Sequence, residues 1–208
     1  MSEDKQTGPA RLTNVGEMIK KFREGAGMTL QQLAQRAGVS EKELESIEND
    51  MISPALGVLT KICDGLGVSL GRFFQQGPRK FYSLVRASDE KAGTRFASKN
   101  GADHGYVYLS LGSEKRSRVM EPFLVTLTPP SDTSGLHRSI EEDFGTHSGE
   151  EFIYVLEGKV RVELEDQSWV LEPGDSIYYD ATVPHRVLHH GSEPAKVLAV
   201  IHIPQRDS

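Results

Sequence analysis

Three side chains in the second half of this 208-residue sequence are of the types that hold transition-metal ions. The stretch HSGEEFIYVLEG (147–158) places His147 four positions before Glu151, and a later segment contributes His185. Two imidazoles and one carboxylate form a facial ligand set suited to Fe(II), Mn(II), Ni(II) or Zn(II), with coordination positions left open. We therefore predict one divalent transition metal per chain, held by these three residues.

The local structure at Ser148 and Gly149 decides whether His147 and Glu151 can share an ion. The β-branched and aromatic residues that follow favour a strand over a helix. On a straight strand at about 3.3 Å per residue the two ligands would lie roughly 13 Å apart, whereas ligand bonds to one ion are about 2 Å long. We therefore expect a bend at Ser148-Gly149, with His147 ending one strand and Glu151 beginning the next inside a barrel.

The spacing of apolar residues changes along the chain and divides it into two domains. From residue 13 to 74 the spacing is helical, and from residue 81 onward short runs rich in Val, Ile, Tyr and Phe alternate with turn residues. The first half contains five predicted helices, and the second half contains seven or more predicted strands, as in a sandwich or barrel. The sequence predicts a two-domain α + β protein with a polar linker at 75–80.

Helix starts are marked by polar residues whose side chains cap free backbone amides. Thr29 with Gln32 and Ser40 with Glu43 have the spacing of capping boxes. Ser53-Pro54 predicts a further helix with proline at its first position.

Composition restricts the classes of protein that this chain can belong to. Residues 11–74 carry eight Lys and Arg against eight Asp and Glu, whereas residues 81–208 carry thirteen against twenty. Because neutralising phosphates requires positive charge, the second half is not expected to bind nucleic acid through a basic surface. The one cysteine, Cys63, excludes an internal disulfide.

Neither a membrane span nor a signal peptide is predicted. No apolar run approaches the roughly 20 residues that a membrane span needs. Residues 1–12 lack an apolar signal-peptide core, and we expect them to be a disordered lead. A cytoplasmic protein without membrane partners is therefore expected.

The second and third predicted helices meet at a tight turn containing Gly38, as in a helix-turn-helix unit. In such a unit the second helix lies in the major groove and its exposed polar side chains face base edges. That helix is SEKELESIEN (40–49), with Leu44 and Ile47 predicted to face inward. The candidate DNA-contacting residues are Thr29, Gln31, Ser40, Lys42, Ser46 and Asn49.

The stretch MTLQQLAQRAGVSEKELESIEND and the tail SPALGVLTKICDGLGVSLGRFF resemble the phage-repressor-like, XRE-type DNA-binding domain over about 60 residues. The resemblance implies a five-helix, lambda-repressor-like fold that binds double-stranded DNA. Leu30 stands where many members have a glutamine that touches phosphate. Glu41, Glu43 and Glu45 lie on the helix that must approach phosphates, which is costly. The alternative is that these helices serve only folding or dimerisation.

The segments that carry the predicted metal ligands resemble the two motifs of the cupin β-barrel, over about residues 105–203. His147, Glu151 and Gly158 match the first motif, and Gly145 stands at the position of its earlier histidine. One of four usual ligands is therefore missing. The resemblance implies a single jelly-roll β-barrel with a metal inside.

The second cupin motif begins at Gly174 and reaches its histidine at His185. Asp180, Thr182 and His189 stand where proline, glycine and asparagine are usual. His189 is two strand spacings from His185, so it is a further candidate for the ligand pocket.

A phage-repressor-like domain followed by one cupin resembles the layout of a large group of bacterial transcription regulators. The resemblance implies a homodimer that binds a pseudo-palindromic operator and a small-molecule effector in its cupin pocket. The same layout resembles hydroxypropylphosphonic acid epoxidase, a non-haem iron enzyme. That second resemblance places Tyr106 and Tyr108 near the metal and makes Lys20 or Lys21 a candidate for the partner's active site. We favour the regulator and keep the oxygenase as the alternative.

Overall fold

The computed structural model describes residues 12–75, 80–87, 95–97, 105–129, 144–202 and 204. Five helices precede nearly all of the β-structure, which confirms the predicted two-domain α + β layout. The helices are α1 (Val15–Gly25), α2 (Leu30–Ala37), α3 (Glu41–Glu48), α4 (Leu56–Leu66) and α5 (Leu70–Phe73). None of the described helices is long and apolar enough to cross a membrane.

Ten strands follow the order of the chain. They are β1 (Leu12–Asn14), β2 (Arg95–Ala97), β3 (Gly105–Ser110), β4 (Met120–Thr128), β5 (Glu150–Glu157), β6 (Lys159–Leu164), β7 (Gln167–Leu171), β8 (Ser176–Asp180), β9 (His185–His190) and β10 (Ala195–His202). A seven-stranded sheet has the order β1-β2-β3-β4-β10-β5-β8, and a three-stranded sheet has the order β7-β6-β9. Alternate residues of β4 and β10 are buried, as expected for strands with one face on the core.

Strand β1 corrects the predicted boundary between a disordered lead and the first domain. Residues 12–14 pair in parallel with β2, at the edge of the seven-stranded sheet. Residues 1–11 lie outside the described residues. The chain therefore contributes a strand to the β-sheet before it forms the helical domain. No local sequence pattern predicts the pairing of β1 with β2.

The turn between α2 and α3 has the backbone geometry that the sequence predicts. The Thr29 hydroxyl accepts the amide of Gln32, whose side chain accepts the Thr29 amide in return. Gly38 ends α2 at φ +64°, a left-handed conformation that glycine adopts without a Cβ clash. The Ser40 hydroxyl then accepts the amide of Glu43 and begins α3. These caps hold α2 and α3 in the arrangement of a helix-turn-helix.

Helix α4 begins two residues later than the Ser53-Pro54 pattern predicts, with Ala55 as its N-cap. The Ser53 hydroxyl donates to the carbonyl of Tyr106 at 2.7 Å, and the Tyr108 hydroxyl donates to the carbonyl of Pro54 at 2.5 Å. Both residues are therefore used to join the helices to strand β3. Tertiary contacts, and not capping, explain the shorter helix.

The helical domain packs directly on the β-domain. The ring of Phe74 lies 4.9 Å from that of Phe123, centroid to centroid, and both side chains are fully buried. Arg118 donates to the carbonyl of Gly71 at 2.5 Å and is paired with buried Glu121 at 2.6 Å. Apolar packing and the hydrogen bonds of Arg118 thus join the end of α5 to the region of β4. Most of the linker predicted at 75–80 lies outside the described residues.

Candidate metal centre

His147 and Glu151 are brought together by a bend at Ser148-Gly149. Gly149 has φ +100°, and a Cβ there would lie 1.8 Å from the carbonyl oxygen of His202, so only glycine fits. His147 lies in the loop before β5 and does not end a strand, in contrast to the expectation. Its amide donates to the carbonyl of Ala181 at 2.9 Å, which anchors the loop beside the end of β8.

The three predicted ligands converge on one point. Oε2 of Glu151 lies 3.8 Å from Nε2 of His147 and 3.7 Å from Nε2 of His185. These separations are too long for hydrogen bonds. They suit ligands that share an ion at bond lengths of about 2.0–2.2 Å. One ligand atom from each residue lies within 4.8 Å of the others, and all three residues are buried.

The histidine tautomers are set by backbone carbonyls. Nδ1 of His185 lies 2.8 Å from the carbonyl oxygen of Val183, and Nδ1 of His147 lies 3.2 Å from that of Ser148. Because a carbonyl only accepts, each Nδ1 must carry the proton. Each Nε2 then presents a lone pair to the centre, and neither has a hydrogen-bond partner within the described residues. Two buried, unpartnered lone pairs facing one carboxylate are what a metal ion would satisfy.

The environment of His185 favours its neutral form. Burial lowers the pKa of His185 below its ordinary value, although the hydrogen bond to Val183 and the charge of Glu151 act in the opposite direction. A neutral imidazole is the form that binds a metal. The residues present therefore fit a divalent transition ion, which would supply a Lewis-acid centre with open positions for a ligand.

Tyr179 is part of the centre, although the sequence analysis did not identify it. It pairs with Glu151 across strands β5 and β8, and its hydroxyl donates to Oε2 of Glu151 at 2.7 Å. Burial raises the pKa of Tyr179 well above its ordinary value, and Glu151 adds to the shift, so the hydroxyl remains a donor. The hydrogen bond orients the carboxylate toward the histidines. Its position on β8, between the two cupin motifs' ligands Glu151 and His185, was the signal in the sequence that could have identified it.

A cavity of about 90 Å³ lies beside the three ligands, with walls from both domains. By the criterion of roughly 10–15 Å³ per water it has room for about six water-sized groups. The β-domain contributes mostly apolar residues, together with the charged or titratable residues Glu151, His185 and Arg186. The helical domain contributes residues 52–53 and the start of α4, including Leu56, Gly57 and Val58. The pocket is thus a small, largely apolar site shared by two domains.

Tyr106 and Tyr108, the predicted ligand-pocket tyrosines, line this cavity, and their hydroxyls are directed to backbone carbonyls. Tyr106 donates to Val187 at 2.9 Å, and Tyr108 donates to Pro54. Burial raises the pKa of Tyr108 well above its ordinary value, so it remains protonated. In this arrangement both tyrosines brace the cavity wall.

His189 corrects one of the pocket predictions. It is not among the described residues that line the cavity. Its Nε2 lies 2.7 Å from the carbonyl oxygen of Glu193, beyond the end of β9. The two-residue strand period carries His189 along the same sheet as His185, but four residues of strand move it roughly 13 Å away from the centre.

The candidate DNA-contacting residues lie on α2, α3 and the residues that cap these two helices. Thr29, Gln31, Ser40, Lys42 and Asn49 are exposed, and Ser46 is half-buried. The hydroxyl of Ser46 donates to the carbonyl of Lys42 at 2.8 Å, so it is engaged within α3. The sequence analysis left out a fourth carboxylate on α3, Glu48. It is buried and paired with Arg23 at 2.7 Å, which removes its charge from the exposed face of α3.

Comparison with known proteins agrees with both halves of this architecture. Residues 19–73 match a family model described as helix-turn-helix, and residues 125–201 match one described as cupin domain. A transcriptional regulator of the HTH_3 family from Vibrio cholerae has a similar fold, with a TM-score of 0.57 at 23% identity over 92% of this chain and 96% of that one.

Two curated relatives extend over most of the chain. The HTH-type transcriptional regulator PuuR of Escherichia coli (strain K12) is 23% identical over 173 residues, covering 82% of this chain and 84% of the relative. The (S)-2-hydroxypropylphosphonic acid epoxidase of Streptomyces wedmorensis is 27% identical over 197 residues, covering 90% and 95%.

The fold defines a two-domain class, in which a five-helix domain with a helix-turn-helix is joined to a cupin-type β-domain. This chain combines an XRE-type helix-turn-helix domain with a single C-terminal cupin domain.

Proposed function

We propose that the protein is a DNA-binding transcriptional regulator whose cupin domain senses a small molecule beside a divalent metal. The observation that carries the proposal is the exposed face of α3, which follows a capped helix-turn-helix turn and presents Lys42 and Asn49 to solvent. Similarity to a transcriptional regulator over most of both chains supports the same function.

The proposed partner is a pseudo-palindromic operator bound by a homodimer. Two-fold related recognition helices lie about one helical turn of DNA apart and read two half-sites. Thr29, Gln31 and Ser40 lie at the starts of α2 and α3, where polar groups and helix N-termini commonly contact phosphate. Lys42, Ser46 and Asn49 lie along α3, where base edges would be read. A soluble, cytoplasmic protein is what such a role requires.

Footprinting on the intergenic DNA that flanks the protein's own gene tests the proposal. We expect a protected palindrome at low salt, and Lys42→Ala should weaken specific binding by about 1–3 kcal/mol if the side chain contacts a base. Lys159→Ala is the matched control, because it removes the same charge from exposed β6 in the other domain. Equal binding of all sequences, or no difference between the two variants, would contradict the proposal.

The second candidate function is a non-haem Fe(II) oxygenase or epoxidase. Its support is the buried set of His147, Glu151 and His185 together with 27% identity to the epoxidase over 90% of this chain. Under this alternative the helical domain would serve the catalytic site. Oxygen consumption by Fe(II)-loaded protein with a small phosphonate, combined with no protected operator, would favour the enzyme.

A further inference from the structure

We propose that the effector is a small organic anion, and that its carboxylate or phosphonate group is held between the metal centre and the N-terminus of α4. This inference deepens the proposed function and rests on it for the idea that the cavity receives an effector. It assigns a ligand-binding role to Gly57 and Lys61, two residues of the helical domain.

The first turn of α4 has free amide groups at the cavity. The first intrahelical bond runs from the amide of Leu59 to the carbonyl of Ala55, so the amides of Leu56, Gly57 and Val58 have no acceptor within the helix. The N-cap residue is alanine, which makes no side-chain hydrogen bond. All three residues line the cavity. Unpaired amides at a helix N-terminus, together with the helix dipole, favour an anion.

An unpartnered metal-ligand atom faces the same turn. A Cβ built on Gly57 would lie 3.7 Å from Nε2 of His185, which is buried and has no hydrogen-bond partner within the described residues. The first turn of α4 therefore borders the metal centre at ordinary contact distance, and Gly57 and His185 line the same cavity. An oxyanion in that cavity would accept from the free amides of α4 and be a ligand to a metal held by His185.

The position of the missing fourth cupin ligand lies beside the same turn of helix. Gly145 stands at that position and pairs with His185 through two backbone hydrogen bonds of 2.8 and 2.9 Å. A Cβ on Gly145 would lie 4.0 Å from Cα of Gly57, which is ordinary van der Waals contact. Because glycine offers no ligand atom, a metal held by the three other residues would keep a position open for an exogenous ligand on the side of α4.

The charge around the cavity also favours an anion. Glu151 is the one acidic residue among those that line it, and a divalent ion would more than neutralise that carboxylate. Lys61 lies one turn beyond Gly57 on α4, just outside the residues that line the cavity. Its ammonium donates at 3.4 Å to the carbonyl of Phe144, the neighbour of the lining residue Gly145. The remaining wall is mostly apolar, which fits a short hydrocarbon body.

Helix α4 also connects this site to the DNA-reading unit. Near its other end, a Cβ on Gly65 would lie 3.0 Å from the amide nitrogen of Ala37, the last residue of α2. The helix therefore lies in close backbone contact with the turn that leads to α3. A ligand bound to both the metal and α4 would hold the two domains at one separation, and operator affinity would depend on it.

Calorimetric titration of the full-length protein, as purified and after loading with Zn(II), tests the proposal without DNA. The probes are acetate, propionate, butyrate and methylphosphonate, with acetamide, propionamide and n-propylamine as neutral and cationic counterparts. We expect at least one anion to bind, all amides and the amine to bind more weakly, and affinity to fall for longer chains such as hexanoate. Equal binding of an amide or the amine, or no anion binding at millimolar concentration, would overturn the proposal.

Two pairs of variants test the residues named. Gly57→Ala places a methyl group between α4 and His185, and should weaken anion binding about tenfold or more, while Gly25→Ala adds the same group in open space on α1 and should not. Lys61→Met should weaken anions but not amides, with Lys159→Met as its control. If Gly57→Ala also loses metal, the comparison of Lys61→Met with Lys159→Met decides the outcome. Unchanged anion affinity in Lys61→Met would then refute the proposed ligand-binding role.

The outcomes separate this inference from the proposed function. Anion binding that depends on Gly57 and Lys61, without a protected operator, would support the ligand site and refute the regulator. A protected operator in the wild type, without preferential binding of anions, would support the regulator and refute the ligand site. If both hold, the anion should change operator affinity in the wild type, and operator DNA should change anion affinity by the same factor.

Discussion

The hydroxyl of Tyr179 donates to Oε2 of Glu151, the same oxygen that lies between the Nε2 atoms of His147 and His185. One hydrogen bond therefore holds the carboxylate in the position that the two imidazoles require. The pairing arises from strand register, since Glu151 and Tyr179 are directly opposite on β5 and β8. This relationship gives a test of the metal centre that leaves every proposed ligand in place.

Tyr179→Phe should weaken metal binding about 10–100-fold, which is typical when a residue that orients a ligand is removed. The matched control is Tyr178→Phe, which removes a hydroxyl bonded to Glu150 on the opposite face of the same strand. Competition with a chromogenic chelator measures both affinities. Equal affinities for the two variants would show that Tyr179 does not orient the carboxylate.

Protein purified without chelator should contain about one divalent transition ion per chain, and His147→Ala with Glu151→Ala should abolish it. Removing two of three ligands leaves too few donors for a stable site. His189→Ala should retain the ion, because His189 is bonded to the Glu193 carbonyl outside the cavity. Elemental analysis gives the metal content, and chelator should lower the melting temperature of the wild type and of His189→Ala, but not that of the double variant. Metal retained by the double variant would refute the site.

Ionisation of buried Glu121 should lower the free energy of unfolding as pH rises from about 4.5. Burial raises the pKa of Glu121 above its ordinary value of 4.5, and the ion pair with Arg118 opposes this shift without cancelling it. The folded state then holds a proton that the unfolded state has released, so stability is fully present below pH 4.5 and falls up to the raised pKa.

Urea unfolding between about pH 4 and 7 measures this effect as a difference from Glu121→Gln, in which the titration is absent. The variant should gain stability relative to wild type as pH rises through that window. Glu114→Gln is the control, because Glu114 is paired with Lys80 at the surface. A constant difference between wild type and Glu121→Gln would contradict the prediction.

We expect a homodimer built mainly through residues 81–208, with the β7 edge as part of its contact. Trp169 and Val170 are adjacent in β7, so they face opposite sides of the sheet, yet they are 42% and 43% exposed. An edge strand with apolar side chains open on both faces favours association. Sedimentation at micromolar concentration should give a dimer, and Val170→Lys should shift it toward monomer.

Val119→Lys is the matched control for the dimer, because Val119 has a similar exposure of 49% but lies away from β7. A wild-type monomer would contradict the prediction of a homodimer. Dissociation by both variants alike would show that β7 is not the specific contact.

DNA binding should depend on salt less steeply than in a basic repressor. The helical domain is neutral from residue 11 to 74, and the log-log slope counts roughly one unit per phosphate neutralised. Titration of operator affinity against salt measures this slope. A steep slope, comparable with that of a strongly basic protein, would show that unrecognised cations contact the phosphates.

Features encoded by neighbouring residues were determined by the sequence itself. The capped turn at Thr29, Gly38 and Ser40 forms as predicted because every cap bond is local: the Thr29 and Ser40 hydroxyls accept amides three residues later, and the Gly38 amide donates to carbonyls three and four residues earlier. Apolar periodicity separated the helical domain from the β-domain because a helix and a strand bury residues at different spacings. His147, Glu151 and His185 could be named together because their residue types suit one metal ion and their spacing resembles the two cupin motifs.

What the tertiary structure alone decided are contacts between residues far apart in the chain. Ser53 and Pro54 bind β3 and do not begin α4, β1 joins the β-sheet, and Tyr179 rather than His189 supports the metal centre. Gly57 faces His185 across the domain boundary, although 128 positions separate them in the sequence. The energies of such contacts come from packing two domains together, and no local pattern of residue types encodes which surfaces will meet.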